Sequence, residues 1–364
     1  MKVTVKRDEL ARSLAALTRI VPSRNTNPIL GCALLSAADG KLRIAVNDLE
    51  VEAEACVAAE VGAEGAVALP AKPLADIAGR LPEGGEVIIE ATADGAQATV
   101  RCRRSRFQLP SLPPEDFPHL QGAASPVRFT LPAADAAVLF GKTAFAIARE
   151  EARYYLHGVY LHVLRGKLRG CATNGHQLAL AEVALPPDAQ SMPAVIVPEK
   201  TVREITRLAT AGDLDVSVSR SIIEITCGST RIISKLVDGT FPDYERVIPT
   251  GNDKRALTDG AEFAAALARV SALAAGHAVR LDFDSSRLTL AMQCGDKGSS
   301  EDAVEAEYDA PPLSIGFNSG YVAEILAALD ADVVCLEMAD PASPALFRAK
   351  GRDGLLAALM PMRV

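Results

Sequence analysis

The same order of features runs through this chain three times, at a period of about 126 residues, and nothing else in it limits the possible folds so tightly. Each copy opens on a short strand pattern followed by an amphipathic helical pattern: Val3-Thr-Val then residues 8–20, Phe129-Thr-Leu then 133–148, and Ala256-Leu-Thr then 261–275. A hairpin pattern follows, with turn residues between alternating runs, at residues 33–44, 159–170 and 279–290. The first two copies share a polar turn entering a strand, at Asn47 and Asn174, 127 positions apart. A second short helix is predicted at 70–81, 198–208 and 318–329, and strands follow at 87–90, 222–227 and 333–338. Copies one and two close on related segments, Leu112-Pro-Pro-Glu-Asp-Phe-Pro and Val237-Asp-Gly-Thr-Phe-Pro.

Each copy therefore has two helices to cover a sheet, which is an α+β unit. Gly, Ala, Ser, Pro, Asn and Asp gather near 122–127 and 248–255, so the domains are expected at 1–124, 125–250 and 251–364. Three such units in series form an arc. Two arcs with complementary ends can close head to tail into a ring, although a single arc also satisfies this reasoning.

Composition removes several alternatives. With 49% hydrophobic and 23% charged residues, the chain has the balance of a soluble globular protein. The first ten residues alternate apolar and charged and lack a secretory core, and the apolar stretch 263–279 carries Arg269 and is short for a bilayer, so no membrane span is expected. Seven cysteines are scattered without a C-x-x-C pair, which argues against zinc or a disulfide framework and for a reducing cytoplasm. The histidines do not gather with carboxylates or cysteines at ligand spacing. Phe140-Gly-Lys-Thr lacks the earlier glycine of a phosphate loop, because Ala136 stands there, and no G-x-S-x-G elbow is present. Catalytic residues, metal and cofactor are all expected to be absent; an enzyme of unrecognised type is the rival reading. The lack of Trp and an aromatic fraction of 4% argue against a single-strand binder that works by stacking, and a net charge of −8 leaves the distribution of charge to decide any affinity for duplex DNA.

Five separated segments carry a family resemblance: Arg153-Tyr-Tyr-Leu-His-Gly, Ala172-Thr-Asn-Gly-His, Ser234-Lys-Leu-Val-Asp-Gly-Thr-Phe-Pro-Asp-Tyr, Gly316-Phe-Asn, and Met360-Pro-Met-Arg-Val, with Asn27-Pro-Ile-Leu-Gly near the start. In these the chain resembles the bacterial β sliding clamps over its whole length. The resemblance implies three repeated clamp domains, each of two helices packed on antiparallel sheets, in a head-to-tail homodimeric ring with pseudo-sixfold symmetry. It implies twelve helices around an encircled DNA duplex, no catalysis, and docking of the DNA polymerase III catalytic subunit, the clamp loader and other clamp-motif proteins. A specialised paralogue of the same family would read alike.

If the helices face DNA, cations should recur at helical intervals, and Arg12 with Arg19, Lys142 with Arg149, and Lys200 with Arg203 and Arg207 do so. Any one of them is equally well a solvated surface charge. The three domains carry net charges of −2, +1 and −7, so the third is expected to contribute least to a DNA path. By resemblance, Arg24, Lys72, Tyr154, Tyr155 and Lys200 match positions near DNA, and Arg80, Arg149, Arg203 and Arg207 join them as DNA-facing on the spacing of their charges; Glu150, Glu151 and Glu199 depart from that basic character. A mobile clamp needs diffuse attraction without base readout.

The resemblance also implies a partner-peptide groove of Leu156, Thr173, Gly175, His176, Leu178, Pro242, Arg246, Val247, Asn318, Tyr321, Met360, Pro361, Met362 and Arg363. Apolar walls with a few polar handles suit a short peptide, and flexible methionines suit several clients. Leu156, Leu178 and Val247 fit an ordinary core as well. Gln177 stands where the family often has Arg, and the 274–278 loop is short. For ring closure the resemblance points to Phe107 and Leu109 against Leu273 of a second chain, with Arg104 and Arg106 facing acids in 301–307. The run Arg103-Arg104-Ser105-Arg106 also reads as a small nucleic-acid patch.

Overall fold

A computed structural model describes residues 1–22, 26–92 and 95–364. Among these, each third of the chain repeats one element order: strand, helix, four strands, helix, three strands. The first third comprises β1 (Lys2–Lys6), α1 (Arg7–Leu17), β2 (Cys32–Ala38), β3 (Lys41–Asn47), β4 (Val51–Ala63), β5 (Gly65–Pro70), α2 (Ala71–Arg80), β6 (Glu86–Ala91), β7 (Gln97–Cys102) and β8 (Ser105–Pro110). The second comprises β9 (Val127–Leu131), α3 (Ala133–Ala136), β10 (Gly158–Leu164), β11 (Lys167–Thr173), β12 (Gln177–Ala184), β13 (Val195–Pro198), α4 (Glu199–Leu208), β14 (Leu214–Val218), β15 (Ile222–Cys227) and β16 (Thr230–Lys235). The third comprises β17 (Lys254–Asp259), α5 (Gly260–Ser271), β18 (Ala278–Asp284), β19 (Arg287–Gln293), β20 (Ser299–Tyr308), β21 (Leu313–Asn318), α6 (Ser319–Leu329), β22 (Val333–Met338), β23 (Ala345–Ala349) and β24 (Leu355–Leu359). The α+β class and the threefold repeat expected from sequence are both present. No described helix is long and apolar enough to cross a membrane.

The residues gather into two compact units, 1–130 with 211–235, and 131–210 with 236–364. In the first, a twelve-stranded sheet runs β8-β7-β6-β1-β4-β16-β15-β14-β9, with β2, β3 and β5 attached beside β4. Leu10, Leu14 and Leu17, at the expected helical spacing, are the buried face of α1. In the second unit the order is β13-β10-β11-β12-β24-β23-β22-β17-β20-β19-β18-β21. Its core holds Phe263, Phe283, Phe317 and Phe347, each fully buried and each contributing about 1.5–3 kcal/mol.

Both sheets are made continuous by the same device. The last strand of one third pairs antiparallel with the long strand after the hairpin of another: β16 with Val51–Ala55 of β4, and β24 with Gln177–Ala181 of β12. Among the described residues, β8 pairs only with β7, and residues 299–305 of β20 pair only with β19.

Local chemistry explains the turns. Asp39-Gly40 and Arg165-Gly166 have positive φ at both positions (50° and 69°, 52° and 71°), the two-residue turn that matches strand twist. Asp48 Oδ1 accepts from the backbone N–H groups of Glu50 and Val51, and Asn174 Oδ1 from those of His176 and Gln177. The repeated turn therefore equates Asp48 with Asn174, a spacing of 126, rather than Asn47 with Asn174.

The helix expected over 133–148 is a correction. Only Ala133–Ala136 is α-helical; residues 137–141 form a π turn closed by Lys142 N–H to Ala137 O at 3.2 Å, and 144–146 a 3-10 turn. The Thr143 hydroxyl donates to Leu139 O at 2.6 Å, competing with the helix ladder. A Cβ on Gly170 of β11 would lie 2.6 Å from that same carbonyl, so the sheet presses on the helix where it widens. Lys142 and Arg149 consequently do not share a helix face. The helix expected over 261–275 stops at Ser271.

Candidate functional site

Residues from β11, β12, β24 and the 242–247 segment line a cavity of about 200 Å³ in the second unit. Its floor follows from strand register, because Leu178 lies opposite Ala358 and Gln177 opposite Leu359. The turn between β11 and β12 forms the rim: the Thr173 hydroxyl donates to Gln177 O at 2.8 Å and accepts from Gly175 N–H at 3.2 Å. Gly175 (φ 88°) also leaves room for Arg153, whose Nη1 would lie 2.5 Å from a Cβ there and which donates to Asn174 O. The opposite wall is Pro242, Asp243, Tyr244 and Val247, the last three on or beside a 3-10 turn, Tyr244–Val247.

Eight of the residues expected in a groove line this cavity: Leu156, Thr173, Gly175, His176, Leu178, Pro242, Val247 and Met360. Leu156 and Leu178 are at once groove floor and members of a buried cluster with Cys171, Phe241 and Tyr244. Val247 (54%), Met360 (46%) and Met362 (43%) are among the few large apolar side chains exposed on the described surface. The remaining six lie apart from the lining. Arg246 pairs with Asp243 at 2.8 Å, Asn318 caps α6 through Gly320 and Tyr321 N–H, and Met362 N–H donates to Gly316 O at 2.8 Å; Pro361 is half-buried and Arg363 exposed. Tyr321 stacks on His176, with centroids 6.0 Å apart, and lines a second cavity of about 220 Å³ that shares His176 and Gln177 with the first.

Sequence reasoning misses Asp243, Tyr244, Pro344, Ala358 and Leu359, and marks Gln177 only as a departure. Gln177 is buried, and its Nε2 donates to Glu324 Oε2 at 2.9 Å and Phe145 O at 3.3 Å. Beneath the wall, the Tyr244 hydroxyl meets Arg169 Nη1 at 3.1 Å and His162 Nε2 at 3.0 Å. Burial pushes the His162 imidazole down to about 4 and the Tyr244 phenol up to about 12, and it raises the Cys171 thiol, so all three are neutral at pH 7.

The residues expected at DNA are scattered in character. Lys72, Arg80 and Arg149 are exposed, and Tyr154 is 56% exposed, edge-on to a half-buried Tyr155. On α4, Arg203 pairs with Glu199 and Arg207 with Glu204, and Lys200 is half-buried. Arg24 lies outside the described residues. In the third repeat, Arg269 of α5 is tied to Asp302 at 2.5 Å. Of the residues expected at a chain–chain contact, Arg104 and Arg106 are exposed without an ion-pair partner among the described residues, Phe107 is 36% exposed, Leu109 is buried and Leu273 half-buried.

Family models match three consecutive stretches: the N-terminal domain of the DNA polymerase III beta subunit over residues 1–121, its central domain over 130–243 and its C-terminal domain over 245–363. The beta sliding clamp of Caulobacter vibrioides is 37% identical over 372 residues, covering all of both chains. A DnaN sliding clamp from Bartonella birtlesii, bound to griselimycin, superposes with a TM-score of 0.96 at 38% identity over all of both chains. The corresponding clamp of Pseudomonas aeruginosa, also bound to griselimycin, gives 0.95 at 33% with the same coverage. Three repeats of one element order, a groove built from the second and third repeats, and full-length matches at this identity lead to one conclusion: the chain belongs to the DNA polymerase III beta subunit family, the beta sliding clamps.

Proposed function

We propose that this chain works as a DNA sliding clamp, a processivity factor without catalysis of its own. Two copies close head to tail around duplex DNA in the cytoplasm, and the groove tethers the polymerase III catalytic subunit, the clamp loader and other proteins through short peptide segments. The domains in this reading are 1–124, 125–250 and 251–364.

The observation that carries the proposal is the pair of unfilled strand edges. Thr230 lies opposite Ala55 and Leu355 opposite Ala181. By the spacing of the repeats, Ser105 of β8 corresponds to Thr230 and Leu355, and Asp302 of β20 corresponds to Ala55 and Ala181. The edge that lacks a strand and the strand that lacks an edge are thus equivalent to two joints already made within the chain. In the proposed ring they satisfy each other between two copies, and pairing them hides backbone groups that would otherwise stay open. Arg106 then stands opposite Glu301, with Phe107, Leu109 and Leu273 as the apolar part of the contact.

Two or three apolar anchors in the groove contribute about 1.5–3 kcal/mol each, against an association cost of several kcal/mol. Modest affinity follows, which suits exchange between clients. Griselimycin, bound by two of the relatives, is proposed as a ligand of this same groove. DNA attraction rests on the exposed cations of the first two repeats, with Arg203 and Arg207 muted by their glutamates. Strong stimulation of a replicative polymerase on long templates, with no nucleotide hydrolysis or transfer by the clamp alone, is the expected result; turnover by the clamp itself would show the enzyme reading to be right.

A further inference from the structure

The wall of the groove carried by residues 242–247 is not part of any strand. Among the described residues, the hydrogen bonds and ion pairs that join it to the sheet beneath come from Tyr244 and Glu245: Arg169 Nη1 donates to the Tyr244 oxygen and to Glu245 Oε1, both at 3.1 Å, and Arg165 approaches Glu245 at 3.3 Å. The Arg165 contact is exposed, whereas Arg169 is buried on β11 and held from the other side by Glu182 of β12. His162 of β10 completes the set. It is neutral at pH 7, and in the tautomer with its proton on Nδ1 its Nε2 accepts the Tyr244 hydroxyl proton while the Tyr244 oxygen accepts from the guanidinium. Tyr160 stacks on His162 at 4.3 Å and on Phe241 at 4.8 Å, which fixes the ring plane from which this bond is made.

We infer that Arg169 is a positioning residue for the peptide groove: acting through the Tyr244 hydroxyl, it holds the Tyr244–Val247 turn in the position that presents Val247 and Pro242 to a bound peptide. Its own side chain does not line the cavity. A buried, charge-assisted fork is directional, and apolar packing around Tyr244 does not define the turn's angle in the same way. A wall ordered before binding spares the ligand the cost of ordering it.

The inference rests on reading the cavity as a peptide groove, and its test separates the two. Griselimycin is titrated by calorimetry into the full-length wild type, Leu178→Ala with Met362→Ala, Arg169→Met, Tyr244→Phe, and Arg169→Met with Tyr244→Phe. If the wall is competent in about a tenth of the molecules once the fork is lost, affinity falls about tenfold in each single variant. The double variant falls no further than the weaker single one, because both cut one path. Arg169→Lys, which keeps the charge and loses the fork, recovers only part of the loss. With fluorotyrosine at the six tyrosines, the Tyr244 resonance, assigned by its loss in Tyr244→Phe, is single in the wild type, broadened in Arg169→Met and sharpened again by griselimycin. A purely structural role lowers thermal stability without moving that line. Wild-type affinity in both Arg169→Met and Tyr244→Phe, with binding lost in the groove double variant, overturns the inference and leaves the groove standing. Undiminished binding in the groove double variant overturns the groove reading too. Should Arg169→Met not fold, Tyr244→Phe, which keeps Arg169 paired with Glu182 and Glu245, carries the same comparison.

Discussion

Arg231 of β16 lies directly opposite Glu54 of β4, with Nη1 3.8 Å from its carboxylate, while its Nε donates to Glu224 at 2.7 Å. The repeat spacing equates this pair with Arg106 and Glu301, which the proposed ring places opposite each other in different chains. Arg106→Glu should therefore weaken self-association, and adding Glu301→Arg should restore most of it. An exposed ion pair is worth about 0.2–1 kcal/mol, so sedimentation at low salt should show a several-fold rise in the dimer dissociation constant for the single reversal. Equal loss in the single and double variants would place the two residues in different parts of the contact.

Gly316 lets the last residues lie against β21. A Cβ there would fall 2.6 Å from Met362 O and 2.3 Å from Val364 Cγ1. Gly316→Ala should push the tail off and break the Met362 N–H bond to Gly316 O. Overpacking of this kind costs about 1–3 kcal/mol where the surroundings are rigid, and less at a terminus that can move. The expected signature is weaker peptide binding by calorimetry and faster amide exchange at Met362, with little change in melting temperature.

Acid should destabilise the groove side of the molecule through His162. Burial holds its folded pKa near 4, below the unfolded value of 6.5, so the unfolded chain binds the extra proton first. This contribution is fully present above pH 6.5, is lost as pH falls toward 4, and is flat below; it amounts to about 2–3 kcal/mol between pH 6.5 and 4.5. Arg169, Tyr244 and Glu245 face this ring. Urea unfolding of His162→Gln, which keeps a polar side chain at that position, should show a shallower slope over that interval than the wild type.

Glu199 pairs with Arg203 on the exposed side of α4. Glu199→Gln frees that cation and should steepen the salt dependence of DNA binding by up to about 0.9 in log–log slope, the value of one phosphate contact. An unchanged slope would remove Arg203 from the DNA path.

Much of this fold was legible because hairpin turns and amphipathic helices are local. Asp39-Gly40, Arg165-Gly166 and the Leu10, Leu14, Leu17 spacing act within a few residues. The break after Ala136 was not legible, since its cause is the approach of Gly170, more than thirty positions away, to Leu139 O. Ala358 and Leu359 reach the groove only through the pairing of β24 with β12, which no periodicity reports. Leu156 and Leu178 read equally as core or groove, and the structure makes them both. The basic spacing on α4 was visible, but its neutralisation by Glu199 and Glu204 needed side-chain geometry. At the first joint the counterpart of Leu178 is Glu52, buried and bonded to Asn47, Leu120 N–H and His119, so the apolar floor is not repeated there.

The most direct test of a ring around DNA is retention after loading on circular and on linearised duplex of the same sequence. Mechanical enclosure predicts that the protein stays on the circle in high salt and runs off the free ends. Phosphate attraction alone weakens steeply with salt on both; equal loss from circle and line would contradict the account.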